Sequence, residues 1–522
     1  MREAPVADAL RQRAAIHGGK PAIVMADTGA VTTFDELSVR ADRIAALFSR
    51  LGLAPGETIA LLAGNERTVP EIWWGARRGG LYYVPLSTRL RAAEIAFILQ
   101  DSGARLLLAG QSYGGLAREA VDALEGFTVR LVVDAGAGPI AALEGEAASP
   151  SLTPATTPAL VGRELIYSSG TTGRPKGIKR PLVAAESAMA LPELEKRMRV
   201  LFEFDADTVY LSVSPLYHAT GRFVNRAIEE GGTAIILPSF DPVEALRAIQ
   251  RHRVTHSQWV PTMFGRLLAL PDAERRTFDL SSHRFALHAA APCPVPVKRA
   301  MIDWWGKIVH EYYGGTENAG VTYIRAEDWL RRPGSVGRSI SGTIHILDED
   351  GSERELPAGE IGLIYFDGGV EFTYLNDDGS SARTRTSQGY LTYGDLGHVD
   401  ADGFLYISDR RSDLIITGGV NVYPKEVELV LETHPEVQEV AVVGLADPEY
   451  GQRVVAVVAG DPGTVRAGLA DELIAYCRDR LSGIKCPRSV LFMAELPRNE
   501  NGKLLKRLLR ERLEAGQGIP SA

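Results

Sequence analysis

The chain has 522 residues, enough for three or four structural units at ~150 residues per domain. Apolar residues make up 45% and charged residues 24%, and 57 basic against 66 acidic side chains leave a net charge of −9, so nothing draws the chain to a nucleic-acid backbone. No run of ~18 apolar residues is present to span a bilayer, and the start, Met1 to Pro5, lacks the apolar stretch of a secretory signal. The cysteines, Cys293, Cys477 and Cys486, are odd in number and lack Cys-x-x-Cys spacing. That argues against a disulfide framework or a zinc knuckle and fits a cytoplasmic enzyme.

Residues 20–135 alternate short apolar runs with amphipathic stretches. Thr58–Leu62 and Leu106–Ala109 read as buried strands, and Glu36–Phe48 carries apolar residues at helical spacing. Such alternation predicts a parallel sheet covered on both faces. The Ala-, Gly-, Pro-, Ser- and Thr-rich segment from Ala135 to Pro158 reads as a surface connection. Alternation resumes from Leu165 to about Tyr323, with Thr233–Leu237 as strand and Pro242–Gln250 as helix. From Arg338 to Ile407 the pattern changes to short strands with Gly and Asp turns, a β-rich unit. After Asp409 a small α+β tail begins, with Val440–Gly444 and Val454–Val458 as strands and an amphipathic helix over 503–512. The expected organisation is an N-terminal α/β domain over 1–408, divided near 160 and 335 into two doubly wound sheets and a β-rich part. A hinge at 409–412 and a small mobile α+β domain over 413–522 complete it.

The most informative stretch is Leu165-Ile-Tyr-Ser-Ser-Gly-Thr-Thr-Gly-Arg-Pro-Lys-Gly177. An apolar strand start runs into a loop of Gly, Ser and Thr, whose N–H and O–H groups can converge on an anion, and Lys176 adds a positive charge. The P-loop of nucleotide triphosphatases is excluded, because Lys176 is followed by Gly177 and the Mg²⁺-binding hydroxyl is missing.

This loop resembles the signature of the adenylate-forming superfamily, which includes acyl- and aryl-CoA ligases, firefly luciferase and peptide-synthetase adenylation domains. Four further segments resemble the family's motifs in the same order: Ser214-Pro-Leu-Tyr-His-Ala-Thr-Gly221; Glu311-Tyr-Tyr-Gly-Gly-Thr-Glu317; Tyr393-Gly-Asp-Leu-Gly397 with Asp409-Arg410 and Thr417-Gly-Gly-Val-Asn421; and Pro497-Arg-Asn-Glu-Asn-Gly-Lys503. The resemblance implies an AMP-forming acyl-CoA synthetase. A carboxylate would attack the α-phosphate of ATP, releasing pyrophosphate, and the acyl group would pass from acyl-AMP to the thiol of CoA. Two anions are pushed together in the first step, so positive charge and Mg²⁺ are required.

By resemblance, Thr171, Thr172 and Lys176 would contact the β- and γ-phosphates, Thr316 the α-phosphate, and Glu317 would hold Mg²⁺. Tyr313 would stack on adenine, with Ala289, Ala290 and Ala291 as a close wall where many members have glycine. Asp395 would accept hydrogen bonds from the ribose hydroxyls, with Arg410 nearby. Lys503 would serve adenylation, its charge reaching carboxylate and α-phosphate as negative charge builds. His218 would form part of the acyl wall, with Phe223, the segment Ser257-Gln-Trp-Val260 and the residues flanking Tyr313 to Gly320, Gly314 and Gly315 among them, around it; Phe223 and Trp259 would favour an apolar fatty, aryl or steroid-type acid. Both aromatics read equally well as core. Arg222 reads either as a partner for a second polar group or as a surface charge. Leu216 to Thr220 offers no carboxylate for an α-amino group, which disfavours an amino acid. Rotation of the C-terminal domain about the hinge, where Ser412 stands in place of the family's usual Asp or Lys, would bring Gly418 and Gly419 to the pantetheine tunnel. A carrier-protein phosphopantetheine is the alternative acceptor, and the absence of an appended carrier domain favours CoA. A homodimer stays open, as does peripheral lipid contact by the basic C-terminal helix if the acid is long.

Overall fold

The structure is a computed structural model that describes residues 8–134, 136–147, 160–168, 175–185, 193–218, 221–370, 372–377, 379, 381, 384–410, 413–417, 420–448, 450–460, 465–498 and 504–516. The helix Phe34–Arg50, which follows a first helix Ala9–His17, begins two residues before the predicted Glu36, because Thr33 caps it. The Thr33 side chain accepts from Glu36 N–H and the Glu36 carboxylate accepts from Thr33 N–H at 2.9 Å. Its apolar face packs on the helix Thr68–Arg78.

The first sheet is parallel, in the order Arg130–Val133, Ala104–Ala109, Thr58–Leu62, Tyr82–Leu86, Arg163–Glu164. Strands buried on both faces explain why the sequence shows continuous apolar runs here rather than alternation. The segment expected to be a plain connection contains a helix, Pro139–Ala147, which packs on Phe34–Arg50.

The second sheet has 13 strands among the described residues, and it joins regions that the sequence pattern separates. Its parallel half runs Val309–Gly314, Phe285–His288, His256–Trp259, Val209–Ser212, Thr233–Ile236, Pro21–Met25. Pro21–Met25 thus crosses the expected boundary near 160 and pairs with Thr233–Ile236. Beyond Val309–Gly314 the sheet turns antiparallel through Val321–Ile324 and Ser335–Ser339 into the β-rich strands Leu405–Arg410, Asp395–Val399, Gly362–Phe366 and Ile344–Leu347. The β-rich part is therefore hydrogen-bonded to the α/β part rather than set beside it. This continuity carries Asp395 to the same sheet as Tyr313.

The C-terminal unit has its own sheet, five-stranded among the described residues and built on the antiparallel pair Val440–Asp447 and Gly451–Ala459. Val440 and Val442 face the helices Pro424–Leu431 and Leu469–Arg478, while Ala441 and Val443 face the last helix through Leu509 and Leu513. That helix begins at Lys506, not 503, since Leu504 bridges Arg498 and Leu505 N–H donates to Pro497 O at 2.8 Å. Among the described residues no helix is long and apolar enough to cross a membrane.

Candidate active site

The C-terminal ends of parallel strands are where an open α/β sheet leaves room for a ligand. Tyr313, near the end of Val309–Gly314, donates its hydroxyl proton to Asp395 at 2.6 Å. Asp395 is 4% exposed and opens the strand Asp395–Val399, with Arg410 its register partner. The ring of Tyr393 stands edge-on to Tyr313 at 5.7 Å, and its hydroxyl donates to Gly320 O at 2.7 Å. Gly315 is required by this packing: a Cβ there would lie 2.4 Å from the Tyr393 ring and 2.7 Å from the Glu317 carboxylate.

The Gly/Thr-rich loop returns as the strand Lys176–Lys179, which pairs with Ile166–Ser168 and Thr373–Tyr374. Lys176 forms an ion pair with Asp377 at 3.0 Å and lies over the Tyr374 ring at 5.2 Å. The Tyr374 hydroxyl donates to Glu317 at 3.1 Å. Lysine, tyrosine and glutamate therefore connect the loop's end to the turn carrying Thr316 and Glu317.

Arg180, which the motif reading passed over, donates to the carbonyl of Thr316 at 2.5 Å. It is 7% exposed, and burial together with the Arg222 guanidinium lowers its pKa; an arginine of ordinary pKa above ~12 still stays charged at neutral pH. Its signal in the sequence was period two: Lys176, Ile178 and Arg180 share one side of the strand direction. Arg222 pairs with Glu164 at 2.9 Å, which resolves the choice between a surface charge and a free polar contact.

Ala289 is buried at the end of Phe285–His288, and Ala290 has a left-handed backbone with φ 76°. Ala290 and Ala291 follow a strand that pairs directly with the Tyr313 strand. His218 is half-buried, its ring 4.7 Å from Tyr217, just ahead of the helix Arg222–Glu229. Gly314 tolerates more than Gly315, an added Cβ meeting Gly320 O at 3.4 Å.

Two expected pocket residues lie in cores. Phe223 is 4% exposed and packs with Phe202, Tyr210 and Tyr312 at ring distances of 6.0–6.1 Å among its neighbours. Trp259 is fully buried on the opposite sheet face, between Phe240, Phe264 and Trp305, its indole N–H donating to Ser257 at 2.6 Å. Period two sends Trp259 away from the face that carries Tyr312, which removes it from a pocket beside that residue. Thr171, Thr172, Gly418, Gly419, Ser412 and Lys503 lie outside the described residues, and of Arg410 only the backbone is described.

Beneath the site, Lys298 and Glu311 form a buried ion pair at 2.5 Å, two residues before Tyr313, with fully buried His288 3.5 Å from the same carboxylate. Burial raises the Glu311 pKa and lowers those of Lys298 and His288.

The AMP-binding enzyme family matches residues 10–372, and the AMP-binding enzyme C-terminal domain matches residues 426–503. The long-chain-fatty-acid–CoA ligase FadD13 of Mycobacterium tuberculosis is 32% identical over 97% of this chain and 98% of its own length. Feruloyl-CoA synthase of an Amycolatopsis species is 34% identical over 93% and 94%. The structure of ATP-bound MatB from Rhodopseudomonas palustris superposes with a TM-score of 0.80 at 29% identity, covering 97% of this chain and 99% of that one. With these motifs, this sheet and these relatives, the chain belongs to the adenylate-forming superfamily, among its AMP-forming acid–thiol ligases.

Proposed function

We propose that the protein activates a largely apolar carboxylic acid, of the aryl, alicyclic or fatty class, by ATP-dependent adenylation and transfers it to CoA. The observation that carries the reading is the cluster in which Tyr313 meets Asp395 while Lys176 and Glu317 meet through Tyr374. It gathers an aromatic face for a base, a carboxylate for a ribose and opposite charges for phosphates and their cation. Relatives support the acid class: besides the fatty-acid and feruloyl enzymes, a ligase of Mycobacterium tuberculosis that is 35% identical over 90% of this chain acts on a bicyclic diketo propanoate.

In this reading Tyr313 covers the adenine and Asp395 holds the ribose. Lys176 and Thr316 bind the phosphates, with Thr171 and Thr172 beside them, and Arg180 fixes the Thr316 carbonyl so that the turn keeps its shape. No group of three or more acidic, histidine or cysteine ligands converges among the described residues. A single carboxylate, Glu317, suits Mg²⁺, which keeps waters and phosphates for its other positions. When bound, the ion supplies charge neutralisation between the reacting anions. Lys503 would stabilise the charge that builds between carboxylate and α-phosphate. The C-terminal unit would then turn about 409–412 so that Gly418 and Gly419 admit the thiol. Ala290 and Ala291 would line the adenine wall, and His218, Gly314 and Gly315 the acyl entrance. Substrates such as ATP and CoA fit a cytoplasmic location.

The test is pyrophosphate release from the full chain with ATP, Mg²⁺ and a panel of acids, with and without CoA. Multiple turnovers only with CoA are expected; one turnover regardless of CoA would point to a carrier-protein thiol. Lys503→Ala should lower acyl-adenylate formation by ~10²-fold or more while sparing thioester formation from supplied acyl-AMP. Equal loss in both half-reactions would remove Lys503 from the adenylation role.

A further inference from the structure

Asn65 follows the strand Thr58–Leu62 of the first sheet, yet its side chain bonds to the second. Its amide nitrogen donates to Leu237 O at 2.8 Å and to Ser214 O at 3.1 Å, and its amide oxygen accepts from Leu216 N–H at 2.7 Å. The three partners stand 149 to 172 residues away in the chain. All four residues are buried, so these bonds are made out of reach of bulk water.

The second sheet creates the need for this amide. Val209–Ser212 and Thr233–Ile236 run in register as far as Ser212 and Ile236, and beyond that pair the two chains part. One enters the turn that carries Tyr217 and His218, and the other leads to the helix Pro242–His252. Parting strands leave backbone groups that the ladder no longer satisfies. A primary amide meets them all at once, with two donors for the two carbonyls and an acceptor for the N–H, where a carboxylate offers no donor and a hydroxyl one. The same strand–helix unit grips the far end of the turn. Trp73, on Thr68–Arg78, lies so close to Gly221 that a Cβ there would stand 2.9 Å from its ring and 2.4 Å from Leu216 O. Between the two grips His218 N–H donates to Pro215 O at 3.2 Å, and Gly221 N–H donates to His218 O at 2.9 Å.

We infer that Asn65 is a positioning residue for acid activation, acting through His218 by fixing the backbone at Ser214 and Leu216. This rests on the acyl-CoA synthetase reading, which puts His218 at the acyl entrance. Without the amide, two carbonyls and an N–H lose their partner in buried surroundings, and the turn shifts to recover bonds elsewhere. A displacement of about 1 Å near a reacting centre costs on the order of 10²-fold in rate. Tyr313, Asp395 and Lys176 stand on other strands, so the nucleotide side of the site keeps its place.

The experiment uses the full chain and whichever of octanoate, palmitate, cinnamate and 3-cyclohexylpropanoate it turns over fastest with ATP and CoA. It measures kcat/KM for the acid and KM for ATP in the wild type, Asn65→Asp, Asn65→Ser, His218→Ala and the two double variants. Asn65→Asp keeps the shape of the side chain and loses both donors. Asn65→Ser leaves room for a water to rejoin the carbonyls and serves if the first variant does not fold, with thermal unfolding as the check on both. Asn65→Asp should lower kcat/KM for the acid about 10- to 100-fold while KM for ATP stays within about 3-fold. In the His218→Ala background the same change should cost less than about 3-fold more, because two residues acting through one contact do not lose it twice. An acid kcat/KM within about 3-fold of wild type, an ATP KM that rises as far as the acid's, a His218→Ala enzyme as active as wild type, or losses that multiply in full each overturn the inference and leave the ligase reading intact. No CoA-dependent turnover of any of the four acids by the wild type takes both down.

Discussion

Four histidines are buried inside the second sheet's core: His256 and His288 on strands, His310 on the Tyr313 strand, and His283 just before Phe285–His288. Burial pushes His256 down to about 4 and His283 and His310 down to about 3, and holds His288 well below its ordinary value. A histidine whose folded pKa is depressed contributes stability that is fully present above its unfolded pKa and is lost as pH falls toward the folded value. Between pH 7.5 and 5.5 each one costs ~1.4 kcal/mol, because the unfolded chain takes up a proton that the folded chain refuses. Four give ~5.5 kcal/mol. Glu311 works in the opposite sense, since burial raises its pKa and the folded state can accept a proton first; one carboxyl can return at most ~2.7 kcal/mol over these two pH units. The net loss is therefore at least ~3 kcal/mol, a large part of an ordinary total of ~5–15 kcal/mol. Urea unfolding at the two pH values, followed by tryptophan fluorescence, reads this unit directly: all six tryptophans lie at or before Trp329, and Trp305 packs on His283 at 5.0 Å. A difference below ~1.5 kcal/mol would mean that these histidines protonate in the folded state, and the argument from burial would fail.

Removing the Lys298 ammonium strands a buried carboxylate, so Lys298→Met should cost ~3–5 kcal/mol, whereas Lys298→Met with Glu311→Leu should recover most of it; equal damage in both would show that the pair's charges are not what matters. Ala290 holds a left-handed backbone that costs an L-residue ~1–2 kcal/mol, partly offset by the entropy a glycine would lose, so Ala290→Gly should raise the unfolding midpoint by ~1–2 °C, and a fall would count against the backbone account. Asp395→Asn keeps the size of the group that receives the Tyr313 hydroxyl but removes its charge; the ATP KM should rise about 10-fold with a smaller change in kcat, and an unmoved KM would detach Asp395 from the nucleotide.

The chemistry of this protein was legible in short strings of sequence because its parts are local. A loop of small hydroxyl residues ending in Lys176, a Tyr-Gly-Gly-Thr-Glu turn and an isolated Asp395 each carry their backbone conformation and charge within a few residues. Their order along the chain was enough to indicate adenylate formation, and alternating apolar runs were enough to indicate the α/β class. Tertiary structure decided everything that depends on neighbours distant in sequence. Residues as far apart as Pro21 and Asp395 enter one sheet because unpaired strand edges must find partners, a demand that periodicity does not reveal. Which face of a strand meets which layer also emerged only there. One residue of register separates Trp259, sealed in a core, from Gln258, turned toward the Tyr312 face. Burial is a property of the assembled layers, so the depressed histidines could not be read from the chain that carries them.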